Sequence, residues 1–194
     1  YIQKILIMII IHNANIINEN KSVKGAIIIE NEYIVDIINQ NKALEIIKSN
    51  KSIEAIDAEN SIIIPGIIDT HVHFREPGLT NKGDIESESM AAIAGGVTSF
   101  FDMPNTIPNT TTIELLEEKI KIAQQRSYAN YAFYIGATDE NINYLLKTPL
   151  DEACAIKIFI GSSTGNMILK NDDNISLLLK KAKIPVVVHA EHDG

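Results

Sequence analysis

One cysteine, Cys154, occurs among the 194 residues. A single thiol excludes an internal disulfide framework and fits a reducing, cytoplasmic setting. Lysine and arginine form no cluster, and the formal net charge is -8. An acidic chain of this kind is poorly suited to nucleic acid or to an anionic membrane surface. Long apolar runs are also missing. The run at residues 5–11 spans seven residues, whereas a membrane span needs about 20. No small-residue cleavage site follows it, so a secretory leader is not expected. The first residue is Tyr1 and the last is Gly194. Neither end reads as a natural terminus, and the sequence is expected to be part of a longer protein.

What is present is an ordinary globular composition, 45% hydrophobic and 22% charged. The length suits one large domain, or a small one followed by part of a larger one. Residues 1–60 carry short β-branched runs at 5–11, 25–30 and 33–38, separated by Asn/Lys/Glu turns, with a short helix at 42–49. They predict a small β unit. From residue 61 the pattern becomes strand, loop, helix, repeated. Strands are expected at 62–69, 97–102, 131–135, 153–160 and 185–189, and helices at 85–94, 113–126, 140–147 and 175–182. Gly95-Gly96 ends the first of these helices, and Thr112 caps the second. Such alternation implies an α/β fold with a parallel sheet covered on both faces. Periodicity leaves a doubly wound sheet and a β/α barrel equally open.

Polar residues at the strand ends carry the chemistry. In Asp69-Thr70-His71-Val72-His73, the two histidines are two apart in an extended segment and share a side. Paired neutral imidazoles are good zinc ligands; two loop histidines sharing a face by chance is the plain alternative. Lys157 lies inside the apolar run Ala155-Ile156-Lys157-Ile158-Phe159-Ile160. Burial there would lower its pKa and free the amine for chemistry, although a lysine at a strand edge can instead snorkel to water. His189 ends the run Val186-Val187-Val188. His12 reads as a surface residue of the β unit, His192 as a bystander, and Cys154 as a small core residue. The glycine- and serine-rich loop at 161–167 lacks the Gly-Lys-Ser/Thr ending of a nucleotide-binding loop. A barrel would gather His71, His73, Lys157 and His189 at the C-terminal ends of its strands, although they are far apart in sequence.

The stretch from Pro65 through His71-Val72-His73-Phe74-Arg75-Glu76-Pro77-Gly78 resembles the signature of the dihydroorotase branch of the amidohydrolase superfamily. Gly95-Gly96-Val97-Thr98 and Asp102-Met103-Pro104-Asn105-Thr106 are similar to its following blocks. The resemblance runs from about residue 61 to residue 194. It implies a partial TIM-like β/α barrel, about five of eight strands, preceded by a small β domain, with the division at 60/61. It implies two zinc ions held by His71, His73, His189 and a carboxylated Lys157 that bridges them. It implies that Arg75 and Asn105 bind a substrate carboxylate, and a surface ion pair is the other reading for Arg75. A further histidine and a proton-shuttling aspartate belong to strands beyond residue 194. The implied reaction is the reversible hydrolysis of dihydroorotate to N-carbamoyl-aspartate in pyrimidine biosynthesis. An allantoinase or dihydropyrimidinase, or a non-catalytic relative, is the alternative. The partner is a small-molecule substrate, and self-association is left open. Residues 1–194 alone are expected neither to close a barrel nor to catalyse.

Overall fold

A computed structural model describes residues 8–161 and 167–191. Residues 5–7, most of the 161–167 loop and His192 therefore fall outside the described residues. The chain divides into two compact units, Tyr1–Pro65 and Gly66–Gly194.

The first unit is a β-sheet with one helix. β1 (Met8–Asn18), β2 (Lys21–Glu30) and β3 (Tyr33–Asn39) form an antiparallel meander. Its two tight turns place Glu19, Asn20 and Asn31 in the left-handed region. Asparagine tolerates that region better than most residues, and this is why Asn-rich junctions end these strands. α1 (Gln40–Ser49) begins at Asn39, whose side chain accepts from the Lys42 amide. β4 (Glu54–Asp57) and β5 (Ile62–Ile63) pair parallel with β1. Two expectations change here. Ile62 and Ile63 belong to this first sheet and not to the start of the barrel strand, so the division falls after Pro65, not after residue 60. His12 is half-buried on β1, with its Nδ1 3.4 Å from Gln40 Nε2.

In the second unit, β6 (Ile67–Val72), β7 (Val97–Asp102), β8 (Asn130–Gly136), β9 (Ala153–Phe159) and β10 (Val186–His189) form one parallel sheet. The helices between them are α2 (Ile85–Ala94), α3 (Ile113–Arg126), α4 (Ile142–Lys147) and α5 (Asp172–Lys181). The spatial order β10-β9-β8-β7-β6 follows the chain without reversal. A doubly wound sheet reverses its order at a switch point, so the arrangement is a five-stranded half-barrel. The main core fills the layer between sheet and helices, with Phe100, Phe133, Ile135, Ile156 and Ile158 against Leu116, Ala123 and Leu178. A smaller cluster of Met103, Tyr134 and Ala155, flanked by Phe101, Cys154 and Val187, is separate from it.

Helix ends follow local chemistry. α2 opens with a capping box, Asp84 accepting from the Ser87 amide. It closes at Gly95, followed by Gly96 at φ +86. α4 starts two residues later than expected, because Thr138–Asn141 closes on itself as a turn; Asn141 Oδ1 accepts from the Thr138 amide. α5 starts three residues earlier than expected. Asn171 caps it by accepting from the amides of Asp173 and Asn174, and two acids fill its first turn.

Candidate metal and substrate site

The C-terminal ends of these parallel strands hold the predicted residues. His71 is on β6 and His73 just beyond it, with ring centroids 5.4 Å apart. Val72 between them packs against the main core under the helices, which turns its two neighbours to the opposite side. Lys157 is in register with Val187 on β10 and Gly136 on β8. His189 is in register with Phe159, two residues further along the same face.

Lys157 is 1% exposed. It does not snorkel; its Nζ lies 5.0 Å from the centre of the Phe159 ring. Burial lowers its pKa from the ordinary lysine value. The His71 imidazole is also pushed below its ordinary value, by burial first and then by Lys157, against an opposing pull from Asp69 and with a smaller push from His189. His71 therefore feels both Lys157 and His189. Burial, Arg75 and His71 lower His73 in the same sense, while its contact with Asn105 opposes them. These basic groups repel each other's protons and favour their uncharged forms, the forms that donate lone pairs to a metal.

The gathering is looser than a finished ligand shell. Among the described residues, no three His, Cys, Asp or Glu side chains are close enough together to hold a metal ion. His189 Nε2 lies 3.1 Å from Glu191 Oε2.

Arg75 follows the histidines and has φ +70, a left-handed backbone. For a residue other than glycine this costs about 1–2 kcal/mol. Its Nη1 is buried with no hydrogen-bond partner among the described residues. The neighbouring Glu76 is not its ion-pair partner but that of Arg126, at the end of α3. Asn105 is 4% exposed, and its Oδ1 lies 2.9 Å from His73 Nδ1. With the proton on Nδ1, that contact fixes the ring and leaves Nε2 free. The Asn105 loop is tied down in turn. The amides of Thr106 and Thr110 both donate to the Pro104 carbonyl at 2.9 Å, and Gly136 donates to Thr110 at 2.8 Å. Gly78, at φ +85, lets the Arg75 loop approach so closely that a Cβ there would overlap the Ile107 carbonyl. Cys154 is half-buried and its thiol is pushed up to about 11, mainly by burial, which keeps it protonated and unreactive.

A buried ion pair that no sequence motif marks lies next to the Phe74 and Met103 backbone. Lys119 Nζ on α3 lies 2.6 Å from Asp102 Oδ2, both side chains having no exposure. Lys119 also donates to the Met103 carbonyl at 2.9 Å, and Asp102 Oδ1 accepts from the Phe74 amide at 2.9 Å. A signal was available: Lys119 stands three residues after Leu116 and four before Ala123, inside the apolar stripe of α3. Lys119→Met should strand a buried carboxylate and destabilise the chain by about 3–5 kcal/mol. Denaturant unfolding would measure this, and a loss under about 1 kcal/mol would show that Asp102 finds water or another partner. Lys119→Met with Asp102→Asn should recover part of the loss, since no lone charge remains.

Residues 62–194 match the amidohydrolase family. A dihydroorotase of Methanosphaera stadtmanae is 34% identical over 174 residues, covering 89% of this chain and 38% of that protein. A dihydroorotase of Pyrococcus abyssi is 39% identical over 114 residues, 58% of this chain and 26% of that one. Among solved structures, an L-hydantoinase (dihydropyrimidinase) from Arthrobacter aurescens superposes with a TM-score of 0.84 at 27% identity, covering 95% of this chain and 41% of that one. The chain thus spans about two fifths or less of the length of these relatives.

Proposed function

This chain belongs to the amidohydrolase family, and from that premise we propose that it carries the first metal ligands and the substrate-carboxylate site of a dihydroorotase. The observation that carries the reading is the buried Arg75 Nη1, which lacks an acceptor among the described residues. A buried guanidinium nitrogen left unpaired is costly. A substrate carboxylate would supply the missing acceptor in a charge-assisted bond. Dihydroorotate and carbamoyl aspartate bring such a carboxylate, whereas dihydrouracil does not.

Family and relatives imply a metal cofactor; a pair of zinc ions is our reading. The donor set fits. His71 and His73 are biased toward the uncharged imidazole, and Lys157 toward the free amine. An uncharged Lys157 amine can add carbon dioxide with loss of one proton, giving an anionic carbamate whose two oxygens each suit one cation. Metal cations held by His71, His73 and His189 would favour such an anion. The chemistry a zinc pair supplies at such a site is polarisation of the amide carbonyl and activation of water near neutral pH. Arg75 orients the substrate by its carboxylate, and Asn105 holds His73 in one ring orientation and would add a neutral donor to the same carboxylate. Proton transfer at the ring nitrogen is assigned to a carboxylate outside these 194 residues, as the family resemblance implies. Residence in the cytoplasm belongs to the same proposal; among the described residues no helix is long and apolar enough to cross a membrane.

The likeness to the Arthrobacter hydantoinase supports a second reading, a cyclic amidohydrolase for uncharged rings. Assays of the complete gene product with carbamoyl aspartate, allantoin and dihydrouracil separate the two. Carbamoyl aspartate is expected to be the preferred substrate by roughly 10- to 100-fold, the worth of one charge-assisted contact of about 1.5–3 kcal/mol. Equal or better turnover of dihydrouracil would sink the dihydroorotase reading.

A further inference from the structure

Arg75 sits between two residues that helix α3 holds from outside the sheet. On one side, the Phe74 amide donates to Asp102 Oδ1, and Asp102 is fixed by Lys119. On the other, Glu76 is 7% exposed; its Oε1 pairs with Arg126 and its Oε2 accepts from the Ile85 amide at 2.9 Å. Arg126 reaches further, to Asp84 Oδ2 at 3.4 Å and Glu86 Oε2 at 3.3 Å, at the start of α2. Lys119 and Arg126 are seven residues apart, two helical turns, and so project from one face of α3. Lys119 also grips Met103, which leads into the Asn105 loop.

We propose that α3 is a brace for substrate recognition, with Lys119 and Arg126 as positioning residues that hold Arg75 in its left-handed conformation. The physical need is plain. An isolated arginine would relax out of φ +70. Phe74 and Glu76 are each anchored by a buried carboxylate, so the residue between them has little freedom to do so. Neither cation touches substrate. Each neutralises a carboxylate that would otherwise be buried and unpaired, and each carboxylate fixes backbone next to Arg75. The proposal rests on the substrate role given to Arg75 above.

The test uses the complete gene product with Arg126→Met, Arg126→Lys and Arg75→Ala. Arg126 is the better handle, because it is partly exposed and its loss leaves the Lys119–Asp102 pair intact. Arg126→Met is expected to raise KM for carbamoyl aspartate about 10-fold, the lower range for residues acting through another ligand, with kcat and metal content unchanged. Arg126→Lys should recover part of that loss. Hydrogen exchange supplies a readout without substrate: the Leu79 amide, bonded to the Arg75 carbonyl at 3.1 Å, should exchange faster in Arg126→Met. Unchanged exchange would overturn the brace. So would faster exchange with an unchanged KM, in a protein where Arg75→Ala does raise KM. If Arg75→Ala leaves KM unchanged, the substrate role of Arg75 fails, and the exchange rate alone decides whether α3 holds this loop.

Discussion

Lys157→Ala is expected to abolish the activity of the complete protein, by more than the ~100-fold that marks the loss of groups merely orienting a metal ligand. It should also lower the metal content below that of the unchanged protein. Beside Lys157 lies His71, whose imidazole is pushed down first by burial and then by Lys157. If a metal pair is held there, as proposed, a carbamate on the buried amine would supply an anionic ligand to it. Lys157→Met separates this role from packing. Methionine fills a similar volume in the 1%-exposed position and is apolar, so folding should survive while activity does not. A short carboxylic acid added to the alanine variant, whose shortened side chain leaves space, should restore part of the rate; added to the methionine variant it should not. Full metal content and an ordinary rate in Lys157→Ala would show that the lysine is only a buried amine.

Arg75→Ala is expected to raise KM for carbamoyl aspartate by roughly 100-fold, about 3 kcal/mol at the upper end for a hydrogen bond to a charged group, while metal content stays unchanged. The variant also removes a side chain from a left-handed residue without changing the backbone requirement, since alanine is no more comfortable there than arginine. Arg75→Gly relieves that strain and serves as the control for it. Both variants should lose preference for the carboxylated substrate over dihydrouracil. Titration calorimetry with carbamoyl aspartate gives the affinity directly. Retained affinity in both variants would show that the buried Nη1 finds its partner within the protein.

Much of the second unit was legible because its signals are local. The ranges of α2, α3 and β7 follow from Gly95-Gly96 and Thr112, residues whose capping and turn chemistry acts within a few positions. The alternation of strand and helix predicted a parallel sheet for the same reason. The His-x-His pair could be read as sharing a side, because alternation along an extended segment is a property of the backbone. Less was legible in the first unit. β4 was missed because its four residues are all exposed, and an exposed strand shows no apolar alternation. Ile62 and Ile63 were assigned to the barrel because nothing local says which neighbour an apolar pair will choose; pairing with Asn15 and Ile16 of β1 is a long-range event.

Composition and short-range pattern by themselves determined the α/β class and the candidate ligands, while the kind of substrate is what the family resemblance implies for Arg75. Periodicity left the half-barrel and the doubly wound sheet open; the family resemblance implied the barrel and the tertiary structure shows it, because strand order is set by which edges pair and not by any one segment's propensity. The tertiary structure alone decided that Lys157 is buried and that Glu76 belongs to Arg126, leaving Arg75 without an acceptor among the described residues. It alone revealed the buried Lys119–Asp102 pair. Burial and ion pairing depend on what the folded chain brings within a few ångströms, and 17 residues separate Asp102 from Lys119 while 50 separate Glu76 from Arg126. At those distances along the chain, charge and polarity are visible in the sequence, but their partners are not.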